Sequence, residues 1–301
     1  TREHFSDNPV VIDDRGSLSN DFTQLLPKVS ALWSIPGKKR SNIYLSVAKG
    51  YKSGGFNTQM FSDVLQQRVM GMMGLGAAYD VDRIVSYKPE KSWNYELGAH
   101  VECGGGKVIS DIALFYIDCR DQQLTMFPDG TTTGRITANA GKTRSLGGEI
   151  AIHYAPHPHW LVNASYGFTD ARFVKFDNGR EDFSGKRVPY APQNTLFAGV
   201  TYSRPLSCWI DHIEANANLR GVGSIYWDEA NSSRQDFYLI PSASVTLRHR
   251  LMSLSLWAEN FTDTRYDVFS FISIRNRFVQ RGNPRVYGVT LRVNFETGKQ
   301  F

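Results

Sequence analysis

The sequence predicts an all-β protein: part of an antiparallel, up-and-down β-barrel that crosses a membrane, with about eleven strands, short turns at one end and long loops at the other. Three observations predict it. Segment after segment alternates apolar and polar residues with period two. The links between segments are short and long in strict turn, and large aromatic residues gather at segment ends.

The segments follow in order. The first falls within residues 22–35 and closes at a short link, Pro36 to Arg40. The second runs to a long link, about Lys52 to Lys91. In the third, Trp93 to Glu102, the residues Trp93, Tyr95, Leu97, Ala99 and Val101 oppose Asn94, Glu96, Gly98, His100 and Glu102. Residues two apart on a strand point the same way, so one face is greasy and the other charged. Cys103 to Gly106 is the next short link and Arg120 to Lys142 the next long one. Pro156 to His159 is then short, Arg172 to Gln193 long and Arg204 to Ile210 short. In His212 to Arg220, Ile213, Ala215, Ala217 and Leu219 oppose polar neighbours. Ser224 to Asp236 is long, His249 to Leu251 short and Asp263 to Asn283 long. The last segment, Arg285 to Phe295, sets Tyr287, Val289, Leu291, Val293 and Phe295 against Gly288, Thr290, Arg292 and Asn294. A sandwich turns its apolar faces inward and a membrane barrel turns them outward, and alternation alone does not separate the two. The strict order of links does, because a soluble sandwich has no reason to keep it.

Trp33, Trp93, Trp160, Trp209, Tyr226 and Trp227 fall near segment ends, which together suggest girdles at the lipid–water boundary. Hydrophobic residues make up 41% of the chain and aromatics 13%, with 26 glycines, a mix suited to strands and turns. No run of ~18 apolar residues is present, so membrane helices are excluded. The net charge of +5 comes without a basic run or an RNA-binding aromatic motif, which argues against nucleic acid as a partner. Cys103, Cys119 and Cys208 are odd in number and lack metal-ligand spacing, so they read as isolated thiols. No nucleophile with a base, paired carboxylate or metal cluster stands at a persuasive spacing; no enzyme, cofactor or metal site is expected. No export signal opens the sequence, so Thr1 is expected not to be the natural start.

Four motifs now coincide with these segments: YLSVAKGYKSGGFN (Tyr44 to Asn57), YKPEKSWNYELG (Tyr87 to Gly98), WAENFTDTRY (Trp257 to Tyr266) and PRVYGVTLRVNF (Pro284 to Phe295). In this order they resemble the barrel of TonB-dependent outer-membrane receptors. The resemblance implies a bacterial outer-membrane protein that imports a scarce nutrient, energised through TonB, with an N-terminal plug inside a barrel of twenty-two strands. About half of those strands and the plug have no counterpart here. Residues 1–301 are accordingly expected to be the C-terminal part of such a barrel, with no closure between residues 22–35 and 284–295. Either Phe295 or Phe301 stands where the family has its terminal assembly signal.

The resemblance makes an iron complex, most often a ferric siderophore, the expected ligand; haem, cobalamin or a glycan on the same fold remain open. A passive or structural outer-membrane barrel and a soluble carbohydrate-binding module are the other classes. Partners expected are the TonB system, the plug, membrane lipid and lipopolysaccharide. Contacts to a ligand from outside must lie on long links or at their roots. The candidates are Tyr51, Phe56, Tyr226, Trp227, Arg275, Arg277, Phe278 and Arg281. The arginines fork toward carboxylates and phosphates, although a solvated loop would carry them equally well. Gly54 and Gly55, between Tyr51 and Phe56, mark at least a turn. Met70, Met72 and Met73 suit a flexible loop or soft-ion capture. Inward charges, Glu96, Glu102, Glu149, Glu214, Arg220, Arg248 and Arg292, are expected to face the plug or lumen water, with His100, His153 and His212 in the same network.

Overall fold

A computed structural model describes residues 2–4, 17–38, 40–57, 73, 85–126, 136–178, 181–207, 209–273 and 276–295. Eleven strands form one antiparallel sheet, each paired with its neighbours along the chain. They are β1 (Lys28–Ser34), β2 (Asn42–Lys52), β3 (Glu90–Cys103), β4 (Val108–Met126), β5 (Ile136–His157) and β6 (Trp160–Lys175). The remainder are β7 (Asn194–Pro205), β8 (His212–Gly223), β9 (Tyr238–His249), β10 (Met252–Glu259) and β11 (Val286–Val293). The edges are β1 and β11, and they do not pair with each other.

The short links are tight because their residues suit them. Between β3 and β4, Gly104, Gly105 and Gly106 all have positive φ (63°, 66° and 88°), a region that costs a residue with a Cβ. Arg250 and Leu251 alone join β9 to β10. The long links depart from expectation in two places. β4 runs on to Met126 and β5 begins at Ile136, so most of the predicted link from Arg120 to Lys142 is strand. The link from Asp263 to Asn283 holds its own hairpin, Asp267–Ser273 against Asn276–Arg281.

Register across β2 to β6 shows what each face presents, since directly opposed residues share a face. One row reads Ile43, Ala99, Ile112, Ile150 and Tyr166; the next reads Leu45, Leu97, Leu114, Gly148 and Phe168. Most of these residues are exposed, Leu97 at 49% and Leu114 at 58%, while Ala99, Gly148 and Ile150 are half-buried. The residues between them, Asn94, Glu96, Ala113 and Phe115, point to the other face and are half-buried. At the edge, Tyr287, Val289 and Leu291 are likewise more than 60% accessible. The greasy face therefore points away from protein. From Trp160 to Phe168 it extends eight residues, about 27 Å along the strand, or ~21 Å in height at a tilt of ~40°, close to the ~25 Å apolar band of a membrane barrel.

The other face is sheltered and polar. Tyr44 lies over Gly98, and its hydroxyl donates to Glu96 Oε1 at 2.8 Å. Trp257 lies over Gly288 in the same manner, with Nε1 donating to Thr290 Oγ1 at 3.1 Å. A Cβ at either glycine would overlap the ring. The sheet thus tucks aromatic rings flat against its inner wall where side chains would otherwise collide.

Candidate functional site

Buried apolar side chains gather at the long-link end. Phe173 (1% exposed), Phe176, Phe183 and Val188 pack with Ala140 and Ala171 where β5 and β6 project beyond the apolar band. Residues 176–178 and 181–193 fold back on this projection, with Phe183 N donating to Phe176 O at 2.8 Å and Val188 N to Ala171 O at 3.0 Å. In that segment the Asp182 carboxyl is held below its ordinary range by Ser184, first through the hydroxyl and second through the backbone N–H.

Segment 224–237 is fastened to this platform. Asn231, in the left-handed region at φ 59°, accepts from Arg187 N at 2.7 Å and donates to Arg187 O at 2.9 Å. Tyr190 N donates to Tyr226 O at 2.8 Å and Lys186 Nζ to Ala230 O at 3.0 Å. Asp228 organises the turn by accepting from Ser232 and Ser233. The hairpin Asp267–Arg281 joins through Gln235, whose Oε1 accepts from Asp267 N at 2.9 Å, and Tyr266 stacks on Tyr238 with centroids 4.5 Å apart.

Between these segments runs a line of rings. Trp227 meets Tyr190 at 5.7 Å, Tyr190 stacks on Phe269 at 5.7 Å and 17°, Phe269 meets Phe271, and Phe271 stacks on Phe278 at 5.0 Å. Tyr190, Phe269, Val188 and Glu229 line a cavity of about 390 Å³ whose far wall is Gln122 to Thr125 of β4. Tyr190 is 43% exposed and has φ 61°, an unfavourable conformation for a large side chain, held here by the contacts around it.

The predicted contacts distribute unevenly about this mouth. Tyr226 pairs with Arg234, whose guanidinium stands 5.9 Å from its ring. Trp227 is 5% exposed, so it anchors the ring line from beneath and is not part of a membrane girdle; packing between distant segments overrides its place near a strand end. Arg277 is engaged by Asp267 at 3.1 Å and by Ser270 at 2.9 Å. Phe278 and Arg281 are exposed. Phe56 sits in a short ladder with Ser86, beside Gly55, which lies against the Tyr87 ring. Tyr51 pairs with Lys91 and shares the face of the lipid-side rows, because period two turns it away from the interior. Arg275, Met70 and Met72 lie outside the described residues, as do Cys208 and the stretch from Glu296 to Phe301. Sequence reasoning missed Tyr190, Phe269 and Phe271. The alternation in Asp267–Ser273 (DVFSFIS) was the available signal for the last two.

The predicted inward charges share one face by register. Glu96 and Glu149 line a cavity of about 650 Å³ with Tyr44, Phe115 and Ser165. Glu102 faces Arg40 at 3.7 Å, and Arg248 faces Glu214 at 3.5 Å in a second cavity that includes Arg250 and Arg292. Arg220 lies one residue from the register partner of Leu196, opposite Phe197. His100 pairs with Asp111, His153 with Asn163 and His212 with Ser203. No cluster that could hold a metal occurs among the described residues.

An outward apolar band, a sheltered polar wall and a mouth assembled from long links define a membrane β-barrel with a receptor-like opening. The family model described as "TonB dependent receptor-like, beta-barrel" matches residues 2–261, and the chain belongs to that family. It is 27% identical over 285 residues to the pesticin receptor of Yersinia pestis, covering 94% of this chain and 37% of that protein. Its fold matches the ferric yersiniabactin uptake receptor FyuA from Yersinia pestis with TM-score 0.72 and 25% identity, over 93% of this chain and 38% of that one. The ferripyoverdine receptor of the outer membrane of Pseudomonas aeruginosa shares the fold with TM-score 0.62 at 18% identity, over 93% of this chain and 34% of that one. The chain thus spans little more than a third of these relatives.

Proposed function

We propose that this chain is the C-terminal part of the barrel of an outer-membrane receptor that imports a ferric siderophore, energised through TonB. The observation that carries the reading is the mouth: three long links fastened to one another, with stacked rings and arginines above a polar lumen. An anionic, ring-bearing iron chelate matches it in both respects. Aromatic faces contribute stacking area at low entropic cost, and Arg281, exposed at the rim, supplies charge, whereas Arg234 is paired with Asp236 at 2.6 Å. The names of the relatives support the same class of ligand.

The fold also supports a division of labour. An open edge in lipid leaves backbone groups without partners, so β1 and β11 are proposed to pair with further strands of the receptor. The 650 Å³ cavity lined by Glu96 and Glu149 and the separate inner-wall cavity lined by Glu214, Arg248 and Arg292 are proposed to contact a plug. Such pairs position the plug more than they stabilise the wall, because desolvation offsets their attraction.

Uptake of radio-iron delivered as ferric yersiniabactin and as ferripyoverdine, by iron-limited cells with and without the gene, tests the reading. Uptake that depends on the gene and stops when TonB is removed is expected. Uptake unchanged by the gene would remove the iron assignment. Gene-dependent uptake that persists without TonB would favour a passive barrel.

A further inference from the structure

Charges on the inner wall are sorted by strand. By register, the inward positions of β3, β4 and β5 carry Glu90, Glu96, Glu102, Asp111 and Glu149 and no lysine or arginine. The inward positions of β6 from Asn163 to Thr169, and of β7 from Thr195 to Ser203, carry no charge. Those of β8 to β11 carry Arg220, Arg248 and Arg292, and the turn after β9 adds Arg250 to one cavity with Arg248 and Arg292. Glu214 and Glu259 are the inward carboxylates on that side. Glu214 engages Arg248 at 3.5 Å and also accepts from Asn216 Nδ2 at 3.2 Å. Arg250 and Arg292 have no ion-pair partner among the described residues. β4 and β9 stand five places apart in the sheet, ~24 Å along the wall, well beyond the ~8 Å over which salt screens a charge. The two sectors therefore do not neutralise each other, and each presents its own sign to the lumen.

We propose that the β8–β11 side of the inner wall is the anion path through the lumen. Cargo captured at the mouth passes Arg220 and halts at a second station, Arg248, Arg250 and Arg292, before it leaves at the short-link end. Arg220 lies eight residues, about 27 Å, along β8 from His212, which stands opposite Arg248. Between these levels the inward residues Asn218, Ser242, Ser244 and Thr246 offer uncharged hydrogen-bond donors. Guanidinium forks grip the paired oxygens of an anion two at a time, which suits a station better than a point charge does. The opposite sector repels the same cargo, because Glu96, Asp111 and Glu149 line the 650 Å³ cavity with no lysine or arginine beside them. When a plug withdraws from the arginine cavity, the anion takes its place.

The path takes its cargo from the import reading, whereas the sign of each sector does not depend on it, so the test has two arms. The first uses the full-length receptor in mild detergent, with C103S/C119S/C208S as background and one cysteine added, Ser255→Cys in the arginine cavity or Ala113→Cys in the acidic one. Each is reacted with anionic sulfonatoethyl and cationic trimethylammonioethyl methanethiosulfonate, and the ratio of the two rates within one protein cancels access. Ser255→Cys is expected to favour the anionic reagent on the order of tenfold, about twofold per cation, and Ala113→Cys to favour the cationic one. Adding R248Q/R250Q/R292Q removes the preference at Ser255→Cys; should that protein fail to assemble, Arg292→Gln alone halves it. Equal rates at Ser255→Cys, or a preference that survives the arginine changes, would overturn the proposal. The second arm measures radio-iron uptake, from ferric yersiniabactin and ferripyoverdine, by cells carrying R248Q/R250Q/R292Q. Binding at the mouth is expected to hold while the rate of uptake falls severalfold, and R248K/R250K/R292K restores most of it. Gene-dependent uptake that proceeds at the wild-type rate in R248Q/R250Q/R292Q overturns the path and leaves the import reading standing. Uptake independent of the gene removes the import reading, while the anion preference at Ser255→Cys still upholds the sorted wall.

Discussion

Replacing Asn231 tests whether the mouth is a built structure or a set of independent loops. Its side chain satisfies both backbone groups of Arg187, 44 residues away, at 2.7 and 2.9 Å, and also reaches Asp228 O at 3.1 Å. Each bond to the part-buried Arg187 groups is worth about 1 kcal/mol net, somewhat more when its loss strands a polar group, so about 2–3 kcal/mol is at stake. Asn231→Ala adds roughly 1 kcal/mol because alanine is disfavoured at φ 59°. Asn231→Gly removes the bonds without that strain, and Asn231→Asp keeps only the acceptor for Arg187 N.

Amide exchange in the intact receptor reads the result directly. Detachment of segment 224–237 exposes Tyr190 N–H, which donates to Tyr226 O. A loss of 2–3 kcal/mol lowers its protection by about 30- to 150-fold in Asn231→Gly. Asn231→Asp should fall between, and Val222 within β8 should not change. If Tyr190 changes less than threefold, or Val222 changes equally, the bonds to Arg187 do not hold the mouth together.

Three further outcomes are expected. Leu291→Arg, on the lipid face, should lower barrel stability by about 2–4 kcal/mol in detergent-to-lipid refolding, whereas Thr290→Arg, facing the lumen, should cost under ~1 kcal/mol. Equal costs would contradict the inverted faces. Gly98→Val must push the Tyr44 ring from the wall and break its bond to Glu96, lowering stability by about 2–4 kcal/mol, with Tyr44→Ala in the same protein recovering part of the loss. Phe269→Ala should weaken binding of a ring-bearing ferric chelate by roughly three- to tenfold through lost stacking, measured by fluorescence quenching, with the melting of the wall unchanged.

How much could be read from the sequence follows from what each part packs against. In Trp93 to Glu102 the solvent on the two sides differs, so a period of two is written into neighbouring residues and its register admits no slip. Beyond the apolar band both sides are wet, and Asp118, Arg120, Lys142 and Arg144 carry no contrast. That is why the ends of β4 and β5 were legible only as a link. The mouth is less legible still. Trp227 stands beside a strand end in sequence, but its neighbour Tyr190 is brought by a segment that also binds Asn231. The ring line crosses three long links, and no local pattern announces a contact between them. Arg277 shows the same limit in charge: the sequence offers three arginines as a basic group, while the fold commits this one to Asp267 and Ser270.

The two halves of the molecule are therefore stabilised by different means. The wall exposes Leu97, Leu114 and Leu291, so its stability comes from the inter-strand ladder and from lipid, neither of which requires a particular apolar residue. This explains how a relative only 18% identical keeps the fold. The mouth buries Phe173, Phe176, Phe183 and Trp227 against protein, where shape matters to within a methylene. On the proposed reading, substitutions in the mouth would alter what is bound without unsettling the strands beneath. The likeness of the wall to its relatives consequently speaks for the fold, and the ring line from Trp227 to Phe278 is where ligand choice has to be tested.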